Sequence, residues 1–244
     1  MQKVREKKPL IHMITNDVSR ESCVNIVLAA GGSAICAEDC LEVEEITELA
    51  DGLCLNLGMP TEAKAEAMKL ALQKAKEKKI PVLLDPVGVG ASRFRNRLVQ
   101  DLLSIGGITC IRGNAGEIGS LCHKSISSRG VETAEVELTE ENLRELSERT
   151  GALIMASGKT DYLVKGSEIR SMAGGGEIFT RITGSGCMQS ALLTAFLASY
   201  EDPWEGLLRG VEAFDAAGHI AKGTARGTGS FQVDFPDAIC NLQK

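Results

Sequence analysis

Aromatic side chains are scarce in this chain, with two tyrosines, one tryptophan and six phenylalanines in 244 residues. A surface that stacks nucleobases along a strand needs more of them, so nucleic-acid binding finds little support. Dense positive charge is missing as well. The 27 basic residues are outnumbered by 33 acidic ones, giving a net charge of −6. The one compact basic stretch, Lys76 to Lys79, reads as the solvated end of a helix. No nucleic-acid partner is expected. Long apolar runs are absent too: none approaches the roughly 20 residues that span a bilayer, so no membrane partner is expected. The first residues are basic (Lys3, Arg5, Lys7, Lys8), but no apolar segment of signal-peptide type follows them. A cytoplasmic location is the expectation. Eight cysteines without secretory context read as free thiols, not a disulfide framework. Cys36 and Cys40 have no second pair at zinc-ligand spacing, while Cys54 and Cys110 sit in apolar runs as small hydrophobes. Histidine is equally sparse. The neighbours of His123 and His219 suggest neither a metal nor a triad.

What is present is an alternation. Short apolar runs at Leu10 to Ile14, Ser33 to Ala37, Gly52 to Leu57, Ile80 to Leu84, Ile108 to Ile111 and Ala152 to Ala156 are separated by stretches of helical periodicity. The clearest helix runs from Thr61 to Lys79; another, capped by Asn16 or Asp17, runs to the Gly31-Gly32 stop. Apolar strands buried on both faces imply parallel βαβ units. The expected fold is one three-layer α/β/α domain over residues 1–244, with a mostly parallel central sheet. Residues 124–138 read as a polar excursion, and Asp161 to Ile178 as antiparallel hairpins. Two helices are expected to follow, the second with Trp204, Leu207, Val211, Phe214 and Ala217 on its core face.

Three segments carry chemistry. Thr183-Gly-Ser-Gly-Cys187 opens an expected long amphipathic helix, so backbone N–H groups converge where the helix dipole favours an anion. Cys187, in the first turn, is expected to ionise near neutrality and to accept a proton. Asp85-Pro-Val-Gly88 and Gly113-Asn-Ala-Gly-Glu117 each follow a strand, on the edge where parallel sheets bind ligands. Asp85 and Glu117 from two such edges suit Mg²⁺ bridging nucleotide phosphates. Gly158-Lys159-Thr160 only imitates a P-loop, because Leu153 stands where its first glycine would be. Ser157-Gly158 still ends a strand beside a possible nucleotide.

These residues carry a resemblance. The chain resembles the hydroxyethylthiazole kinase family of the ribokinase-like superfamily at Pro9-Leu-Ile-His12, Ile14-Thr-Asn16, Asp85-Pro-Val-Gly88, Arg112-Gly-Asn-Ala-Gly-Glu117, Thr183-Gly-Ser-Gly-Cys187 and Gly227-Thr-Gly-Ser-Phe231. The matches are collinear and span the chain. Cys187 is the most specific, since related kinases place Asp there. The resemblance implies ATP-dependent phosphorylation of 4-methyl-5-(2-hydroxyethyl)thiazole in thiamine salvage, by a homotrimer with sites between subunits. It implies nucleotide contacts at Arg112, Ser157, Asn114 and Gly186, and substrate contacts at Gly184, Asn16, Met13 and Cys36. Cys187 takes the base position, with Asp85 and Glu117 near magnesium. Two positions depart from the family: Met13 replaces a common Asn, and Cys36 a Met. His12 falls beside that inferred thiazole region.

Two further readings stay open. One is a kinase of another heterocyclic alcohol, of hydroxymethylpyrimidine type; the other is a non-catalytic nucleotide or thiazole sensor. A nicotinamide oxidoreductase is disfavoured, because no Gly-x-Gly-x-x-Gly opens a helix after a strand.

Overall fold

The apolar runs form one continuous sheet in a computed structural model that describes residues 1–122 and 138–242. His123 and the polar stretch 124–138, apart from Leu138, lie outside the described residues. In chain order the elements begin with α1 (Gln2–Lys7), β1 (Leu10–Ile14), α2 (Arg20–Ala30), β2 (Ser33–Cys36), α3 (Val43–Leu49) and β3 (Gly52–Asn56). They continue with α4 (Glu62–Lys78), β4 (Val82–Asp85), α5 (Arg93–Ile105), β5 (Cys110–Asn114), α6 (Ala115–Cys122) and α7 (Glu140–Thr150). The last third holds β6 (Leu153–Ser157), β7 (Thr160–Lys165), β8 (Glu168–Ala173), a 3-10 turn (Glu177–Arg181), α8 (Ser185–Ser199), α9 (Pro203–Thr224) and α10 (Thr228–Asn241).

The strand order is β2-β1-β3-β4-β5-β6-β7-β8. Pairing is parallel from β2 to β6, and β7 and β8 add antiparallel at the far edge. Strands β3 and β4 are buried along their whole length, as a sheet covered on both faces requires. Side-chain alternation divides the core in two. Met13, Cys54, Leu83 and Cys110 point toward α2, α8, α9 and α10, whereas Ile14, Leu55, Leu84 and Ile111 point toward α4, α5, α6 and α7. The three-layer expectation holds.

Local chemistry sets the ends of several helices. The Thr61 and Ser92 hydroxyls accept from the amides of Lys64 and Arg95, capping α4 and α5. Asn16 does not cap α2 directly. Its Oδ1 accepts from the amide and the hydroxyl of Ser19, and the helix starts one residue later.

Two expectations need correction. Helix α8 is not amphipathic: every residue from Met188 to Ala198 is buried, because the helix crosses β1, β3, β4 and β5 and is roofed by α2 and α9. A third helix, α10, also follows where two were expected. Its burial of Phe231, Phe235 and Ile239 against Phe179 and Phe214 completes the roof.

Candidate active site

In a parallel sheet every strand ends its carboxyl terminus on the same edge, so polar residues at those ends converge. Asn16 follows β1, Asn56 ends β3, Asp85 ends β4, Arg112 to Asn114 end β5 and Ser157 ends β6. The start of α8 lies over this edge. Gly184 there has φ 79°, and a Cβ on it would stand 2.5 Å from Cβ of Ser19. A Cβ on Gly186 would stand 2.5 Å from Nη1 of Arg112. Gly184 excludes a side chain by dihedral and contact, whereas a Cβ at Gly186 would force the Arg112 guanidinium to move.

Asn56 ties the centre together. Its amide nitrogen donates to Oδ2 of Asp85 at 2.7 Å and to Sγ of Cys187 at 3.2 Å. Its oxygen accepts from Nδ2 of Asn16 at 3.0 Å and from the amide of Gly58 at 2.9 Å. Asn16 also donates to Sγ of Cys187 at 3.4 Å. Two amides thus hold the sulfur as an acceptor. The Ser190 hydroxyl, one turn into α8, donates to Oδ2 of Asp85 at 2.8 Å. The other oxygen, Oδ1, is buried with no hydrogen-bond partner.

Electrostatics correct one expectation. The Cys187 thiol is pushed up from its ordinary value, chiefly by burial and further by the Asp85 charge. The partial charge at a helix N-terminus is a fraction of one unit, too little to offset both. Cys187 is therefore not ionised near neutrality. Asp85 is itself raised to about 6 by burial; Arg112 opposes that shift and Glu117 adds to it.

Glu117 serves the backbone. Its two oxygens accept from the amides of Gly88 and Asn114, both at 2.9 Å, and Asn114 Oδ1 accepts from the Glu117 amide at 2.9 Å. This reciprocal pair caps α6 and ties the loop after β4 to it. Each oxygen keeps a free lone pair. The unpartnered Oδ1 of Asp85 and these lone pairs fit Mg²⁺, a hard cation that takes one or two carboxylates and completes its shell with water and phosphate. No group of three or more His, Cys, Asp or Glu suited to a metal occurs among the described residues.

Arg112 is 8% exposed and its fork is spoken for on one side. Nε and Nη2 donate to Oε1 of Gln189 at 3.1 and 2.8 Å, and Nη2 donates to Oγ of Ser157 at 2.9 Å. Arg112, Asn114, Ser157 and Gly186 share the wall of one cavity of about 860 Å³, within the range of small-molecule sites. Gly158 and Lys159 line it too, and Thr160 begins a strand, which agrees with the absence of a P-loop.

Of the other expected residues, Asn16 and Gly184 stand beside Cys187. Met13 is 1% exposed and packs into the core on the α8 side. Cys36 pairs with it in register but is exposed, at the end of edge strand β2. His12 points to the opposite face of the sheet, its Nε2 donating to the Ala37 carbonyl and its Nδ1 2.9 Å from Oγ1 of Thr47. It locks β1 to α3 and touches no site. Sequence reasoning missed Asn56, Ser190 and Gln189. The position of Asn56 at the end of an apolar run is the signal that singled out Asp85, and Ser190 lies one helical turn beyond Cys187.

Comparison with known proteins fits this geometry. A model of the hydroxyethylthiazole kinase family matches residues 1–244. A protein named hydroxyethylthiazole kinase from Leptospira biflexa is 38% identical over 240 residues, covering 98% of this chain and 90% of that one. The solved structure of a hydroxyethylthiazole kinase protein from Pyrococcus horikoshii OT3 superposes with a TM-score of 0.90 at 32% identity, covering 100% of this chain and 92% of that one. A ribokinase-like superfamily protein from Enterococcus faecalis shares the fold, with a TM-score of 0.67 at 12% identity over 94% of this chain and 86% of that one.

Proposed function

This chain belongs to the hydroxyethylthiazole kinase family and phosphorylates the hydroxyl of hydroxyethylthiazole; we propose that the transfer takes place where α8 meets the carboxyl ends of β3 and β4. The observation that carries this placement is the Asn56 amide, which holds the Asp85 carboxylate and the Cys187 sulfur at once.

ATP is the phosphoryl donor. Its phosphates lie against Arg112, Asn114, Ser157 and the amides of Ser185 and Gly186, where the α8 dipole and a guanidinium both favour negative charge. The alcohol lies against Gly184 and Asn16, with Cys36 on the rim. Met13 supports that wall from the core side without touching the substrate. Asp85 and Glu117 hold Mg²⁺, which when bound neutralises charge on the transferring phosphoryl group. The substrate oxygen bonds to the γ-phosphorus as the bond to ADP breaks. Phosphoryl transfer asks for little from a base until that bond has formed. Cys187 therefore positions the hydroxyl through Sγ and takes its proton in the thiolate form, a minor species at neutral pH.

The outer edge of the sheet supports assembly with further copies of the chain, which we read as a homotrimer. Among the described residues β2 pairs with a strand on one side only and is exposed at both ends, while Val18, Leu41, Leu49 and Met59 are at least half exposed. Apolar residues around an open edge favour a second copy of the chain there. The enzyme works in the cytoplasm. The test is ADP release from ATP and Mg²⁺ on adding 4-methyl-5-(2-hydroxyethyl)thiazole, with the phosphate ester identified by mass. Binding of both ligands without turnover would make the protein a sensor.

A further inference from the structure

Asp215 is the one carboxylate of the described residues with both oxygens buried and neither taking a hydrogen bond. It stands on α9, a helix to which nothing above assigns chemistry, and lines the cavity that also holds Arg112, Ser157 and Gly186. A carboxylate shut off from water is unfavourable unless a donor reaches it. Part of its cover is glycine backbone. A Cβ on Gly175 would stand 3.2 Å from Oδ1 of Asp215 and 2.9 Å from the Phe179 ring. Gly175 thus brings bare backbone beside the carboxyl group, within a strap of three glycines, Gly174 to Gly176, with Gly176 at φ 91°. Three successive glycines can shift at little steric cost and offer a flat surface to a planar ring.

We propose that Asp215 reads the nucleotide base, its carboxyl group pairing with the amino-bearing edge of a purine that enters along the Gly174–Gly176 strap. This rests on the kinase reading and adds base specificity to it. Charge orients the nucleotide in the cavity. Phosphates are drawn to Arg112 and the start of α8 and repelled by Glu177 and Asp215, so the neutral base is the part of the nucleotide that can lie against Asp215.

The protonation of Asp215 then selects the purine. A neutral carboxyl group accepts from the adenine amino group and donates its O–H to adenine N1. A carboxylate can only accept, which suits the N1–H and amino group of guanine. Burial, with the Asp161 charge from β7 adding, raises Asp215 to about 7. The other charged groups lining the cavity are Lys159 beside β7, Arg112 of β5 and Glu177 of the 3-10 turn.

The test measures KM for ATP, GTP and 2′-deoxy-ATP at saturating thiazole, from about pH 6 to about pH 8, for the full chain and for Asp215→Asn and Asp215→Ala. In the unsubstituted protein the preference for ATP over GTP should fall as pH rises through about 7. Asp215→Asn, with one donor and one acceptor at every pH, should prefer ATP without that slope. Asp215→Ala should lose about tenfold or more in its ATP-to-GTP ratio, the scale of one lost paired contact. An unchanged ratio and slope in Asp215→Ala overturns the proposal. So does a defect confined to the comparison of ATP with 2′-deoxy-ATP, which would assign Asp215 to the ribose. Direct titration with a non-hydrolysable ATP or GTP analogue gives the same ratio without turnover. It separates failure here from failure of the kinase reading, and circular dichroism identifies a variant that has not folded, leaving Asp215→Asn to decide.

Discussion

Asp85 shows how a single residue trades stability for chemistry. Its folded pKa, about 6, lies above the reference value of 3.8. A carboxyl group raised in this sense contributes fully to stability below its unfolded value and loses that contribution as pH rises through the folded one. The difference amounts to about 3 kcal/mol once both states are ionised. Asp85→Asn removes the charge while keeping an oxygen for Asn56 and Ser190. Its melting temperature should gain on the unsubstituted protein between about pH 4 and about pH 6, and stay above it at higher pH while turnover collapses. A difference in melting temperature that does not change with pH, read by thermal scans without Mg²⁺, would refute this account. Cys187 makes the opposite kind of demand. Because its thiol is raised, the rate should keep climbing with pH beyond neutrality in single-turnover measurements. Cys187→Ala should lose that climb and fall by about a hundredfold, the usual scale for one proton acceptor. Met13 carries a third lesson. Placing Asn there would bury an amide in the apolar core on the α8 side of the sheet, so Met13→Asn should cost about 1–3 kcal/mol in chemical denaturation.

At the scale of an element, α8 both fills the core and presents the site. Gly184 and Gly186 at its start bring bare backbone against Ser19 and Arg112, and the eleven residues from Met188 to Ala198 are buried. That asymmetry lets a rigid helix aim its N-terminus. Gly186→Ala drives a Cβ into Nη1 of Arg112 and should raise KM for ATP while leaving KM for the thiazole unchanged, as steady-state kinetics can show. Gly184→Ala meets Ser19 on α2 instead, with left-handed strain of about 1–3 kcal/mol added, and should impair the alcohol more than the nucleotide. If both variants damage the same parameter, the two glycines do not divide the substrates between them.

Among the described residues the sheet has two edge strands, β2 beside the parallel strands and β8 of the antiparallel hairpin. Apolar residues flank the β2 edge, as expected of a face covered by a second copy of the chain. Leu41→Asp combined with Val18→Asp, at positions 91% and 66% exposed, should leave the fold intact. It should reduce the mass by light scattering from three chains to one and raise KM for the thiazole. A single-chain mass for the unsubstituted protein would remove the trimer, and with it the sites between subunits.

Strand alternation, the helix from Thr61 to Lys79, the hairpin after Asp161 and the meeting of Asp85, Arg112, Ser157 and Cys187 on one edge were all legible in the residues. Each follows from rules local in sequence: buried strands read as apolar runs, and parallel strands place their carboxyl ends together. Packing decided what those rules cannot reach. Whether α8 is half-exposed or enclosed depends on α2 and α9 closing over it, and a run of Ala, Leu and Phe serves either outcome. The ionisation of Cys187 turns on burial and on Asp85, 102 positions earlier in the chain, and these outweigh a helix terminus visible in the sequence. Asn56 and Asp215 carry no motif. Their roles come from which atoms surround them, a property that appears only once distant strands and helices have packed.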